Sequence, residues 1–199
     1  MATCTAVDCS NTVATHRVQD AIDACTNDGD IVIVPDGSNC DWAQKVTISK
    51  FIKFTSANGC TTATVGDLTD IPTGCATIIK DNVGNGNLLE IDLAACDGCG
   101  FHTEITGFEF QDGGVRTGGV AFLLSGQNAT GGMDDRRLHF HHNFVNAVKG
   151  NICFQISHVY GVGDHNQFIA GIAGQIYLNH FNHDPTAWPW SVERWAEAL

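Results

Sequence analysis

Short apolar runs, broken every few positions by Gly, Asn, Asp or Pro, recur along most of this 199-residue chain. Runs of that length and punctuation predict strands rather than long helices. The exception lies near the N-terminus. Val18, Ala21, Ile22 and Cys25 fall at i, i+3, i+4 and i+7, the stripe of a short amphipathic helix. Thr15 is placed to cap it, and Asn27-Asp28-Gly29 to end it. Strands are expected over Asp30–Val34, where Pro35 and Gly37 stop the run, and over Lys45–Ser49, Phe51–Phe54, Ala76–Lys80 and Leu88–Leu93. A Thr-, Gly- and Asp-rich surface loop is expected over residues 56–74.

The second half is repetitive. Ile105-Thr-Gly-Phe108-Glu-Phe110, Phe140-His-His-Asn143-Phe144 and Gly163-Asp-His-Asn166-Gln-Phe168 read as versions of one unit, with 23 residues from Asn143 to Asn166 and 24 from Phe144 to Phe168. Periods of this size indicate stacked repeats, each too small to bury its own apolar face. Stacking predicts an amide ladder of Asn143 over Asn166 and an inner column of Phe110, Phe144 and Phe168, although the second unit lacks one residue between its Asn and its Phe. Alternation along Leu138–His141 turns Leu138 and Phe140 inward and His139 and His141 outward. One repeat later His141 aligns with Asp164, and His142 with His165. The fold class expected is therefore all-β, a right-handed parallel β-helix (solenoid) with an N-terminal capping helix. It reads as one domain over residues 1–199: the capping helix at 15–26, coils over 30–182, and a C-terminal segment over 183–199 read as a cap, with the alternative that the whole chain is a fragment of a longer one. In that segment Ser191–Leu199 reads as a short helix burying Val192, Trp195 and Leu199.

Composition narrows the class. With 43% hydrophobic and 16% charged residues the chain is too apolar to be disordered. A net charge of −12 and no Lys/Arg stripe argue against nucleic acid and anionic membranes as partners, and no apolar run is long enough to span a bilayer. Nine cysteines, crowded into the first half, are expected to be disulfides of an oxidising compartment, so the chain reads as secreted or extracellular. Cys96-Asp-Gly-Cys99 is expected to be a disulfide rather than half of a zinc site. The odd count leaves at least one free thiol, or one partner missing. No signal peptide is visible, and Met1-Ala-Thr-Cys4 reads as a mature sequence behind an added start codon. Oligomeric state is left open. Asn128-Ala-Thr130 is a glycosylation sequon in a eukaryotic secretory host.

Val18-Gln-Asp-Ala-Ile-Asp-Ala24, Gly29-Asp-Ile-Val-Ile-Val-Pro35-Asp-Gly37, Val46-Thr-Ile48 and Asp164-His-Asn-Gln-Phe168 resemble the N-terminal cap, first coils and coil motif of the pectin-lyase-like β-helix superfamily. The resemblance spans about three quarters of the chain and implies a capped β-helix; it does not choose a branch. Hydrolase signatures are incomplete: Asp134-Asp135 and Asn182-His-Asp184 stand in the wrong order, and Gly-His-Gly and Arg-x-Lys are absent. Of the pectate-lyase-like Trp-Ile-Asp-His segment only Asp164-His165 is present.

The function expected is a carbohydrate-active protein acting on an extracellular acidic polysaccharide, as a polysaccharide lyase or hydrolase. β-Elimination from a uronate needs a positive group at the carboxylate and a base at C5. Asp164, His165, His141 and Arg137 are the expected catalytic residues. Arg136, Lys149, Trp188 and Trp190 are expected to bind substrate, the tryptophans by stacking on sugar rings. Asp134, Asp135 and Asp164 are the oxygen donors expected for Ca²⁺. Two other readings compete. The Asp-Asp-Arg-Arg run and His-Asn pairs also suit a solvated turn and structural rungs of a non-catalytic glycan-binding or structural module. His139-x-His141 with His180-x-x-His183 is the weakest reading, because the spacing matches no zinc motif.

Overall fold

The computed structural model describes residues 1–65, 68–93, 102–126, 137–146, 152–157, 160–169, 176–179, 190–193 and 196–198. These are mostly strands, with one helix, α1 (Arg17–Ala24). All but two of the strands sort into three parallel sheets. Sheet A runs in the order β1 (Thr3–Thr5), β2 (Ile31–Val34), β5 (Lys53–Ser56), β10 (His102–Thr106), β13 (Arg137–His141), β16 (Tyr160–Asp164) and β19 (Trp190–Glu193). Sheet B runs β3 (Gly37–Trp42), β8 (Thr77–Asp81), β11 (Phe108–Asp112), β14 (Phe144–Asn146), β17 (Gln167–Ile169) and β20 (Ala196–Ala198). Sheet C runs β4 (Val46–Ile48), β9 (Leu89–Leu93), β12 (Val120–Gly126), β15 (Ile152–Ser157) and β18 (Ile176–Asn179). From β2 onward the chain visits A, B and C in turn, so each strand pairs with the strand one circuit before and after it. Parallel pairing demands such crossovers, because a tight hairpin can join only antiparallel strands.

The one antiparallel pair among the described residues is the hairpin β6 (Cys60–Val65) and β7 (Leu68–Cys75), inserted between β5 and β8. It occupies the segment expected to be an irregular loop. Its Thr, Val and Ile residues favour extended backbone, and the Cys60–Cys75 disulfide joins the two strands at its base. The hairpin lies over the outer face of sheet B, with β7 against β11, β14 and β17. Glu109, Phe144 and Gln167, one row of that face, are consequently almost fully buried.

Alternating residues of all three sheets fill the interior. Trp42, Phe54, Phe108, Phe110, Phe122, Phe140 and Phe154 are fully buried or nearly so. They touch in series: Phe54 stacks on Phe108 with centroids 4.8 Å apart, Phe110 meets Phe122 edge-on at 4.9 Å, and Phe122 stacks on Phe154 at 4.5 Å. Such contacts add to the stabilisation from burial. The expected column of Phe110, Phe144 and Phe168 is corrected at its middle rung. Phe110 pairs with Val145, and Val145 with Phe168. The missing residue after Asn143 shifts Phe144 to the outer row, beneath the hairpin.

Helix α1 buries Val18, Ala21 and Ile22 against the first strands, and Cys25 is bonded to Cys4. Thr15 does not cap it. His16 holds the N-cap position without a side-chain cap bond, and the Asn11 side chain instead accepts from the Gln19 N–H at 3.2 Å. Strand boundaries move by a residue or two, and β3 was not anticipated beyond Pro35. At the C-terminus Trp190–Glu193 and Ala196–Ala198 are strands extending sheets A and B, not the helix expected over 191–199. Their short backbone runs find hydrogen-bonding partners on β16 and β17, which a helix would forgo. Cys9–Cys40 is the third disulfide. Cys96 and Cys99 lie outside the described residues.

Buried polar groups brace several of the turns. Arg116 forms a bidentate ion pair with Asp81, at 2.5 and 3.0 Å, and also donates to the Gly86 and Gly118 carbonyls, tying together the turns that lead from sheet B to sheet C. Asp30 accepts from the Ala2 N–H at 2.5 Å and the Asn27 N–H at 3.1 Å, which together hold its carboxyl below the usual carboxylate range.

Phe122→Ala is expected to cost about 3–5 kcal/mol in urea unfolding, because it empties the centre of the aromatic column. Asp30→Asn is expected to lower the thermal midpoint at neutral pH. With a folded pKa below its unfolded value, Asp30 contributes stability that is present above about pH 4 and lost as pH falls through the folded pKa. The gap between wild type and variant should therefore narrow on acidification, and a gap that widened instead would contradict this role for Asp30.

Candidate functional site on the outer face of sheet A

In a strand, successive side chains alternate between the two faces. Leu138 and Phe140 of β13 are buried, so His139 and His141 face out. The pairing β10–β13–β16 sets Thr106, His141 and Asp164 in one row and Glu104, His139 and Val162 in the next. Lys53 of β5 continues the second row. The alignment of His141 with Asp164, expected from the repeat, is thus observed.

The corner that follows each strand adds to this face. Gly107, His142 and His165 follow β10, β13 and β16, and all three have left-handed backbone, with φ of 86°, 50° and 47°. At Gly107 a Cβ would lie 2.7 Å from Ser56 Oγ and 3.0 Å from Gly59 Cα, which requires glycine. The next two corners carry an Asn that Gly107 lacks, and there histidine takes the same conformation, one that non-glycine residues seldom adopt. This twist lets Asn143 and Asn166 turn inward. Asn143 Nδ2 donates to the Ile105 and His141 carbonyls at 2.9 Å each, while its Oδ1 accepts from the Phe108 N–H at 3.2 Å. Asn166 Oδ1 accepts from the Asn143 N–H at 3.0 Å and from Asn143 Nδ2 at 3.3 Å. The amide ladder is present and fully buried. His142 and His165 are left outside, stacked with centroids 4.9 Å apart and planes within 3°.

Four imidazoles and two carboxylates therefore converge. Asp164 reaches His139 Nε2 with Oδ2 at 3.0 Å and His165 Nδ1 with Oδ1 at 2.9 Å. Glu104 Oε1 lies 2.9 Å from His141 Nε2 and accepts from Lys53 Nζ at 2.8 Å. His139 stacks on His141 at 3.9 Å, and His141 Nδ1 is 2.7 Å from His142 Nδ1. Burial, then the neighbouring His139, push the His141 pKa down to about 4 against the pull of Glu104, so this imidazole is uncharged at neutral pH. Burial and His165 lower that of His142. The partners of Asp164 and Glu104 hold both carboxyls below their ordinary values although burial acts the other way. Hairpin β6–β7 borders the site: Cys60 Sγ lies 3.3 Å from the His142 carbonyl, and Asp70 contributes to the field at His142.

Of the residues singled out in the sequence, His141, Asp164 and His165 come together here. Arg137 begins β13 in register with His102 and Tyr160, on the strand that carries His139 and His141. Trp190 begins β19 in register with Gly161 and, through it, with the buried Leu138, so its position falls in an inner-face row and not beside the histidines, against the substrate-binding place expected for it. Arg136, Lys149, Trp188, Asp134, Asp135, His180 and His183 lie outside the described residues, as does the sequon at Asn128. His139 and His142, which the repeat had placed on this face without a catalytic role, join them; Glu104 and Lys53 carry no motif and are reached only through strand register.

Ca²⁺ asks for six to eight oxygen donors. Among the described residues both oxygens of Asp164 face imidazoles, and the nearby donors are mostly nitrogen, so these residues by themselves do not make a Ca²⁺ site. Comparison with known proteins finds no family model, curated protein or solved structure that matches this chain. Three disulfides fit an oxidising, extracellular environment, and no helix among the described residues is long and apolar enough to cross a membrane.

Asn143→Ala is expected to lower stability by about 2 kcal/mol or more, since it removes the acceptor of the buried Phe108 N–H and the donor to the Ile105 and His141 carbonyls. In the amide-exchange pattern, protection should fall first at Phe108 and at the corner after β13; unchanged protection there would show that the ladder does not hold the corner.

Proposed function

We propose that this chain is an extracellular, carbohydrate-active, right-handed parallel β-helix of the pectin-lyase-like kind, and that the outer face of sheet A acts on an acidic polysaccharide by β-elimination. Recurrent A–B–C strand order supports the winding, and crossovers between parallel strands are right-handed in nearly all proteins. The observation that carries the activity is the pairing of His141 with Asp164, which gathers four imidazoles, two carboxylates and Lys53 on two adjoining outward rows of sheet A and the corners beside them. Extended polymers lie naturally along such a face.

The reaction removes the proton at C5 of a uronate, breaks the C4–O bond and leaves a C4–C5 double bond, with a proton delivered to the departing oxygen. His141 or His165 accepts the C5 proton, each oriented by a carboxylate, Glu104 or Asp164. Arg137, beginning the same strand, and Lys53 supply positive charge for the substrate carboxylate as the enolate-like intermediate forms. Arg136, Lys149 and Trp188 are proposed to extend the polymer contact.

The second reading, a non-catalytic glycan-binding or structural β-helix, is favoured by one feature. The cluster groups already satisfy one another, with both Asp164 oxygens and both His141 nitrogens engaged.

Incubation with pectate, alginate and glycosaminoglycans, with Ca²⁺ and then with chelator, is expected to raise absorbance near about 235 nm, where the conjugated carboxylate of the eliminated uronate absorbs. The double variant Asp164→Asn/His165→Ala should lose at least about 100-fold in rate while keeping its circular dichroism. No absorbance rise and no new reducing ends on any polymer would favour the non-catalytic module.

A further inference from the structure

The cluster holds a second arrangement that acid–base chemistry does not require. His139, His141 and Asp164 present one ligand atom each, all within 4.8 Å of one another, and His142, Asp164 and His165 do the same. The two groups meet on Asp164: its Oδ2 faces His139 and its Oδ1 faces His165. Separations of 2.9 and 3.0 Å between carboxylate oxygen and imidazole nitrogen are close to the spacing of neighbouring donors around an ion whose bonds are about 2.0–2.2 Å.

The surroundings match what metal-binding imidazoles need. A ligating histidine donates its other ring N–H to a carboxylate or carbonyl, which fixes the tautomer. Glu104, an acceptor held by Lys53, takes the hydrogen of His141 Nε2, leaving the lone pair on Nδ1, which without an ion faces His142 Nδ1 at 2.7 Å. The positions of the ligands are set by backbone rather than by long side chains. His139 and His141 share one strand face, Asp164 is their neighbour across the sheet, and the left-handed corners hold His142 and His165 in parallel stacking. Imidazole nitrogens with a single carboxylate suit ions of the zinc class, whereas Ca²⁺ and Mg²⁺ favour oxygen.

We propose that the outer face of sheet A binds a divalent transition metal of the zinc class through His139, His141 and Asp164, with His142 and His165 on the other oxygen of the same carboxylate. This goes beyond the polysaccharide reading and does not depend on it: an ion on His139, His141 and Asp164 leaves His165 as the base for the C5 proton, and metal binding is read without any substrate.

The test uses the full chain, stripped with chelator, exchanged into chelator-free buffer and titrated with Co²⁺ and with Zn²⁺. Calorimetry should give one or two Zn²⁺ per chain, and Co²⁺ should develop visible d–d absorption with imidazole-shifted proton resonances. Asp164→Asn, which keeps shape and removes charge, should weaken binding by about 100-fold or more, and His139→Ala and His141→Ala by at least about 10-fold each. His102→Ala, an exposed histidine one row away on the same sheet, should leave affinity unchanged. Circular dichroism and the thermal midpoint of each metal-free variant report whether it folds; if Asp164→Asn does not, the histidine variants and the paramagnetic shifts of the wild type still decide. Millimolar Ca²⁺ should not displace Co²⁺. Absence of Zn²⁺ binding at about 100 µM, or binding equally strong in all three ligand variants, would overturn the proposal, while leaving the elimination assay to judge the polysaccharide reading separately.

Discussion

The hydrogen-bonded ladder between parallel strands is the constraint on which everything else rests. Once β10, β13 and β16 pair in register, residues separated by a circuit of chain are brought to within one strand spacing, about 4.8 Å, of each other. The interior and the exterior are both consequences. Inside, the ladder places Phe54, Phe108, Phe110, Phe122, Phe140 and Phe154 close enough to stack. At the corners it sets Asn143 against Asn166 so that each amide satisfies backbone groups of its neighbour. Outside it sets His141 against Asp164. No local motif makes the cluster; strand register does.

The corner residues link the inner and outer halves of this arrangement. An ordinary strand would alternate in and out through residues 141–143. The left-handed backbone at His142 and His165 breaks that alternation, so that two consecutive polar side chains stay outside while the following Asn enters the interior. Residues held in sparsely populated backbone regions persist when their surroundings over-determine them. Here the buried amide ladder does so, and the imidazole pair outside inherits its rigidity.

Much of this was legible in the sequence, for a physical reason. A repeat of about 23 residues carries register information, because like positions in successive circuits must pair; hence the His141–Asp164 neighbourhood and the Asn143–Asn166 ladder could be read before any coordinates. The same argument failed for Phe144, where one residue fewer after Asn143 moves the aromatic ring to the other face. It was silent on Glu104 and Lys53, whose circuits are of other lengths: β10 and β13 are 35 residues apart at Ile105 and Phe140. The β6–β7 hairpin was missed because its Thr-rich strands alternate weakly in hydropathy, and only the Cys60–Cys75 link, together with the sheet beneath, shows why they are ordered. Judging metal binding by spacing within single motifs ranked the histidines low, since that criterion looks along the chain and these donors are assembled across it.

The three described disulfides also give the molecule a direction. Cys4–Cys25, Cys9–Cys40 and Cys60–Cys75 all lie within the first 75 residues, whereas the cluster is carried by strands from β10 to β16. In stacked architectures each circuit is stabilised chiefly by its immediate neighbours, so a covalent link is felt locally and fades along the stack. A reductant would therefore loosen the N-terminal end while reaching the imidazole face only through the intervening circuits. Pulled from its two ends, such a molecule would yield as a zip does, strand by strand, and the stitched end would be the last to open.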